Sequence, residues 1–186
     1  TVISEGQAFD LIRACRNLKH KFCIALLYGC GLRIGDVLNM QVKDVDLDRM
    51  VIDVKDGKGR KDRTVPFPRS LVNHYKHYIA QYRPKRYLFE GQNGGAYSRE
   101  SINKVIKRAA SSVGIEKRIS AHTLRHSFAT HLMNKGVNQR FIQEILGHKS
   151  SKTTEIYTHV SNANLNLIEN PLDEMVAKSR NGKRAN

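Results

Sequence analysis

VKDVDLDRMVIDVKDGKGRKDRTVPF, residues 42–67, decides the architecture of this chain. Within it the β-branched segments VKDVDLD, MVIDV and RTVPF are separated by the turn-forming pairs and triplets Asp48-Arg49 and Gly57-Lys58-Gly59. That punctuation predicts three short strands in an antiparallel meander. On both sides the apolar spacing reverts to the helical period, so the expected class is mainly α with a small antiparallel β-sheet (α+β). Lys58 then lies near a hairpin tip, where a long side chain can reach a ligand crossing the sheet edge or simply remain solvated.

Upstream, Ser4 and Gln7 have capping-box spacing ahead of Ala8, Phe9, Leu11, Ile12 and Cys15, which share one helical face. A first helix therefore starts near residue 4. FCIALLYGCGL, residues 22–32, reads as a more buried helix that Gly29 and Gly31 bring to an end, leaving Arg33 where helix gives way to turn. Downstream, helical spacing recurs near 69–82, 98–112, 122–134, 138–146 and 151–158. Thr123 is placed to cap the helix carrying HTLRHSFATHL, Gly114 and Gly136 are stops, and Leu172, Met175 and Val176 predict one more short helix after Pro171. Residues 181–186, NGKRAN, read as a disordered tail.

The chain has 186 residues, 40% of them hydrophobic, which is enough for one compact domain with its own core. Lys plus Arg number 32 against 17 Asp plus Glu, for a net charge of +15. Such an excess favours an extended polyanion, nucleic acid foremost, over an acidic small molecule. Cys15, Cys23 and Cys30 are odd in number, form no CxxC pair and lie in apolar stretches, so they read as reduced core thiols rather than a disulfide or zinc framework. There is no run of about 18 apolar residues and no basic-then-apolar leader, so no membrane partner is expected and the localisation expected is cytoplasmic.

Tyr157, in EIYTHV, follows a series of cationic groups, Arg33, Lys58, His122, Arg125 and His148, suited to holding a phosphodiester. A phenol attacks an anionic phosphate only where cations neutralise the developing charge and an acid releases the alcohol. Guanidinium suits the first task, because it is always charged and its planar fork donates two hydrogen bonds to one phosphate. His122 and Arg125 stand three apart and so on one helical face. His148 follows Gly147 at the end of FIQEIL, where the helix dipole favours an imidazolium, although a plain C-cap histidine has the same signature.

GCGLRIGDVLNM, DGKGRKDRTVP, HTLRHSFATHL, ILGH and EIYTHV, in that order, resemble the successive boxes of the tyrosine recombinase family, also called phage integrases, in their C-terminal catalytic domain. The likeness covers nearly the whole chain and includes Xer-type and mobile-element enzymes. It implies a catalytic domain over residues 1–180, with Tyr157 as nucleophile and Arg33 and Arg125 as clamps on the non-bridging oxygens. It further implies Lys58 as acid for the leaving 5′ hydroxyl, with Lys55 and Lys61 close by in sequence, and His122 and His148 as supports. No cofactor and no metal is implied. The implied partner is a double-stranded DNA recombination site bound by a homotetramer, and the implied outcome is DNA integration or recombination through a phosphotyrosyl intermediate. One position departs from the pattern: where the family commonly has glutamate three residues after the first arginine, this chain has Asp36.

Family members carry an N-terminal core-binding domain that these residues do not supply, so the expectation is a catalytic-domain piece. The tail over 162–180, with Leu165, Leu167, Ile168, Leu172 and Met175 as apolar anchors, can dock on a neighbouring protomer or on its own domain. Lys104, Lys107 and Arg108 are candidates for phosphate or groove contact and equally a solvated basic face. Rival readings are a DNA binder without chemistry, a type IB topoisomerase, and a metal-dependent nuclease built on His122, His126 and His131. The last lacks a carboxylate partner within its helix.

Overall fold

The computed structural model describes residues 1–55, 62–147 and 168–182. Expectations that fall on Lys58, His148, Tyr157, the helix over 151–158 and the tail positions Leu165 and Leu167 lie outside the described residues. Within them the fold is helical with one small antiparallel sheet, as the β-branched segments and turns of residues 42–67 predict. The first helix, α1 (Glu5–Ala14), opens with the expected capping box: Ser4 Oγ accepts from the Gln7 N–H at 3.1 Å, and Gln7 Oε1 accepts from the Ser4 N–H at 3.0 Å. Its buried face is Ala8, Leu11 and Ile12.

The second helix, α2 (Leu18–Gly29), is the axis of the molecule. Every residue from Phe22 to Gly29 is buried, so this helix is apolar all round and packs against α1 and further helices on several sides. Its start lies four residues before the apolar run, because Asn17 caps the polar first turn by accepting from the His20 N–H. Phe22 anchors an aromatic cluster with Tyr75, Tyr78 and Phe89 at centroid distances of 6.1, 5.4 and 5.6 Å. The three cysteines are buried and unpaired, and burial pushes the Cys23 thiol up to about 12. These are packing groups, as their apolar setting suggests.

One helix was not foreseen. After α2 ends, Cys30 and Gly31 turn the chain and a six-residue helix, α3 (Ile34–Asn39), begins at once with Arg33 as its N-cap. Arg33 therefore opens a helix instead of trailing one. The sheet follows as a meander of β1 (Val45–Asp46), β2 (Val51–Val54) and β3 (Arg63–Pro66), with Ile52 facing Val45 on one side and Val65 on the other. The first strand is shorter than its sequence segment, because Val42–Asp44 winds into a 3-10 turn closed by Asp44 on the Gln41 N–H. Pro66 ends an outer strand, where a missing N–H is tolerated.

Beyond the sheet come α4 (Val72–Tyr82), α5 (Arg99–Ser112), α6 (Ala121–Asn134), α7 (Gln139–Leu146) and α8 (Pro171–Gly182). The cap of α6 is Ser120, not Thr123. Thr123 sits at the third helical position and completes a capping box, its N–H donating to Ser120 Oγ while its own Oγ1 accepts from the Ser120 N–H. The last helix runs through Gly182, two residues into the stretch expected to be disordered, and 183–186 lie outside the described residues. It packs on α1, α2 and α6 of its own chain, burying Leu172 and Met175. Asp173 accepts from the Arg69 and Ser70 N–H groups at 2.9 and 2.8 Å, and Asn170 donates to the Gly29 carbonyl at 2.7 Å. No helix among the described residues is long and apolar enough to cross a membrane.

Candidate active site

The site is built where α2, α3, β3, α6 and α7 meet. Three arginines from distant parts of the sequence donate to three consecutive backbone carbonyls at the C-terminal end of α7. Arg63 Nε donates to Ile145 at 2.9 Å, Arg125 Nη2 to Leu146, and Arg33 Nη2 to Gly147 at 3.0 Å. The last carbonyls of a helix have no intrahelical donor and sit at the negative end of its dipole. That end therefore gathers guanidinium groups that would otherwise repel one another.

Two glycines permit the approach. Gly31, at φ +58°, offers its carbonyl to Arg125 Nη1 at 2.6 Å; a Cβ there would lie 2.6 Å from Phe128 and 2.9 Å from Leu146. Gly147, at φ +64°, is the left-handed C-cap of α7, and a Cβ there would meet Arg63 Cδ at 2.8 Å. Both positions need glycine for conformation and for space.

Arg125 is 6% exposed. A charge so far from water persists only when hydrogen-bonded, and the carbonyls of Gly31 and Leu146 do this for it. His122, one turn earlier on α6, is exposed. The expected pair therefore shares a helix turn but splits between a buried guanidinium and a solvent-facing imidazole. Arg33 is half-buried at the head of α3. Lys58, His148 and Tyr157 fall outside the described residues, although His148 directly follows Gly147 in sequence.

Asp36, the shorter carboxylate, is buried within this cluster. One of its oxygens, Oδ2, accepts both the Arg33 backbone N–H at 2.9 Å and Arg63 Nη2 at 2.5 Å. Arg63 is the residue that sequence reasoning missed. It was read as part of a strand, and its side chain is only 7% exposed, opposite the buried Val54 in the ladder. The available signal was Asp36 itself, a carboxylate among apolar neighbours that needs a cationic partner.

The histidines of α6 do not converge. His126 is exposed like His122, whereas His131 is buried and its Nδ1 lies 2.8 Å from Tyr28 Oη. Burial holds His131 below the ordinary imidazole range. A second basic surface lies on α5, where Lys104, Lys107 and Arg108 are exposed and the opposite stripe of Ile102, Ile106 and Ala109 is buried.

Comparison with known proteins places these features in context. The model of the phage integrase family matches residues 1–164. A tyrosine recombinase of Thermosipho africanus is 40% identical over 163 residues, covering 86% of this chain and 57% of the relative. Tyrosine recombinase XerA of Pyrococcus furiosus is 36% identical over 165 residues, covering 83% and 57%. Among solved structures, a XerA recombinase superposes with a TM-score of 0.76 at 33% identity, covering 97% of this chain and 65% of that one. The site-specific recombinase XerH bound to difH substrate gives 0.72 at 27%, covering 89% and 52%. The chain thus spans a little over half the length of the curated relatives it matches.

Proposed function

This chain belongs to the phage integrase family, and from that premise we propose that it is the catalytic domain, over residues 1–180, of a tyrosine-type site-specific DNA recombinase. The arginine cluster at the end of α7 carries the reading. Arg33 and Arg125, 92 residues apart in sequence (125 less 33), are anchored on neighbouring carbonyls, Gly147 and Leu146. A phosphate received between them meets two fixed forks whose hydrogen bonds strengthen as charge builds on its non-bridging oxygens.

In the proposed reaction, Tyr157 Oη attacks the scissile phosphorus as its proton passes to solvent water. The bond to the 5′ oxygen breaks, and Lys58 protonates the departing alkoxide, leaving a 3′-phosphotyrosyl link and a free 5′ hydroxyl. His122, at the exposed start of α6, and His148 assist at the phosphate. Attack by the 5′ hydroxyl of a second opened strand reverses the steps and releases the tyrosine. One phosphodiester is exchanged for another, so the bond energy is conserved and neither nucleotide nor metal is consumed.

The whole protein is proposed to act as four protomers on two duplex sites in the cytoplasm. XerH, crystallised on its difH substrate, supports a DNA recombination site as partner, and the net charge of +15 suits one. The test uses a random-sequence library of nicked duplexes incubated in EDTA with the protein and with Tyr157→Phe. A covalent protein–DNA adduct on a denaturing gel that the variant lacks is the expected result. Cleavage that needs metal and leaves no adduct would replace this reading with a nuclease, and binding without either would leave a DNA binder.

A further inference from the structure

We infer that Arg63 is a positioning residue for strand cleavage, acting through Arg33; the inference rests on the recombinase reading above. Its side chain reaches two separate supports of Arg33. Through Nη2 it holds Asp36 Oδ2, the same oxygen that receives the Arg33 backbone N–H. Through Nε it holds the Ile145 carbonyl, two residues before the Gly147 carbonyl that receives the Arg33 guanidinium. The backbone end and the guanidinium end of Arg33 are thus both referred to one side chain. Leu146, between those carbonyls, is held by Arg125.

Local chemistry makes a guanidinium necessary here. One planar fork donates along two directions at once, to a carboxylate on α3 and to a carbonyl on α7, from a strand that belongs to neither helix. An ammonium keeps the charge, but it is a point donor on a flexible stem and does not hold both supports in a fixed relation. The packing is specific as well, since Gly147 leaves room for the Arg63 stem that any Cβ would remove. Arg63 contributes no bond to the phosphate in this account. It sets where the Arg33 fork points, and misplacing a clamp by about 1 Å costs on the order of 100-fold in rate.

The experiment measures single-turnover adduct formation by wild type, Arg63→Lys and Arg33→Lys. The probe is a nicked duplex recovered from the random library by covalent capture on the wild-type protein. It is made with either the native scissile phosphodiester or a methylphosphonate, in which methyl replaces one non-bridging oxygen. Because the arginine clamp acts on that anionic oxygen, removing the oxygen removes the benefit of a well-aimed Arg33.

Arg63→Lys is expected to lose about 100-fold on the phosphodiester with DNA affinity changed less than about 3-fold, and to lose less than about 10-fold on the methylphosphonate, the same pattern expected of Arg33→Lys. Equal losses on both substrates would overturn the inference in favour of a purely structural role, and so would a wild-type rate for the lysine variant. Should Arg63→Lys fail to melt cooperatively, Asp36→Asn cuts the same link from its other end and is judged by the same criterion. Absence of any wild-type adduct would instead overturn the recombinase reading, and this inference with it.

Discussion

The middle of α2 and the end of α7 are both withdrawn from water, but only the second buries charge as well as apolar side chains. Around α2 the hidden groups are Phe22, Ile24, Leu26 and Leu27, each at 0% exposure. At α7 guanidinium groups and one carboxylate are hidden beside the apolar Ile145 and Leu146, with Arg125 at 6% and the side chains of Arg63 and Asp36 at 7% and 6%. Burial stabilises the first region directly, at about 25 cal/mol per Å² of apolar surface. In the second it costs desolvation, which hydrogen bonds and ion pairing return only in part. Net stability is therefore a weak reason for so many cations in one dry corner.

The contrast is broken most sharply at Arg125. Arg125→Lys keeps the charge yet cannot span the Gly31 and Leu146 carbonyls, so adduct formation should fall about 10²–10³-fold. Leaving one of these buried carbonyls unmet should also cost about 1–3 kcal/mol, at roughly 2–4 °C of melting temperature for each kcal/mol at this size. Calorimetry beside the adduct assay checks both halves. The converse is Phe22→Ala, which should cost about 3–5 kcal/mol in urea unfolding while the molecules that remain folded cleave at the wild-type rate. A specific-activity loss exceeding the unfolded fraction would show the two regions to be coupled.

Gly31→Ala probes the seam between them. Its Cβ would press on Phe128 and Leu146 from a left-handed backbone while displacing the carbonyl that holds Arg125. It should destabilise by about 1–3 kcal/mol and lower cleavage as well. The smallest effect concerns pH. Burial lowers the His131 pKa in the folded state below its ordinary value, whereas the unfolded chain titrates at about 6.5. The unfolded state therefore takes up the proton first, so stability present above that pH is lost as the pH falls beneath it. His20 and His74 are shifted the same way by burial, so His131→Gln should flatten the acid limb of a denaturation series without abolishing it.

The two regions also differ in how far they could be read from sequence. The buried helix was legible because eight successive buried residues, Phe22 to Gly29, leave no polar face to place in solvent. The first cap was legible because Ser4 and Gln7 stand at the spacing that a capping box requires. Helix α3 was not, since six residues give less than two turns of period and Gly35 argues against a helix in isolation; Asp36 and the surrounding packing hold it. At the site, Arg33 and Arg125 stood out by motif. The carbonyls that hold them did not, because backbone acceptors carry no residue signature. Arg63 was hidden for a related reason: a charge in a strand segment normally marks the solvent face, and only the tertiary meeting with Asp36 turns it inward.

The arginine cluster also constrains the order in which the molecule can be made. The bonds from Arg63 to Ile145, Arg125 to Gly31 and Arg33 to Gly147 span 82, 94 and 114 residues of chain. Contacts of such separation form only after most of the loop-closure entropy has been spent. A nascent chain ending before α7 carries Arg33, Arg63 and Arg125 but not the Ile145, Leu146 and Gly147 carbonyls that aim them. The geometry that aims the three guanidinium groups is thereby withheld until the fold is nearly complete.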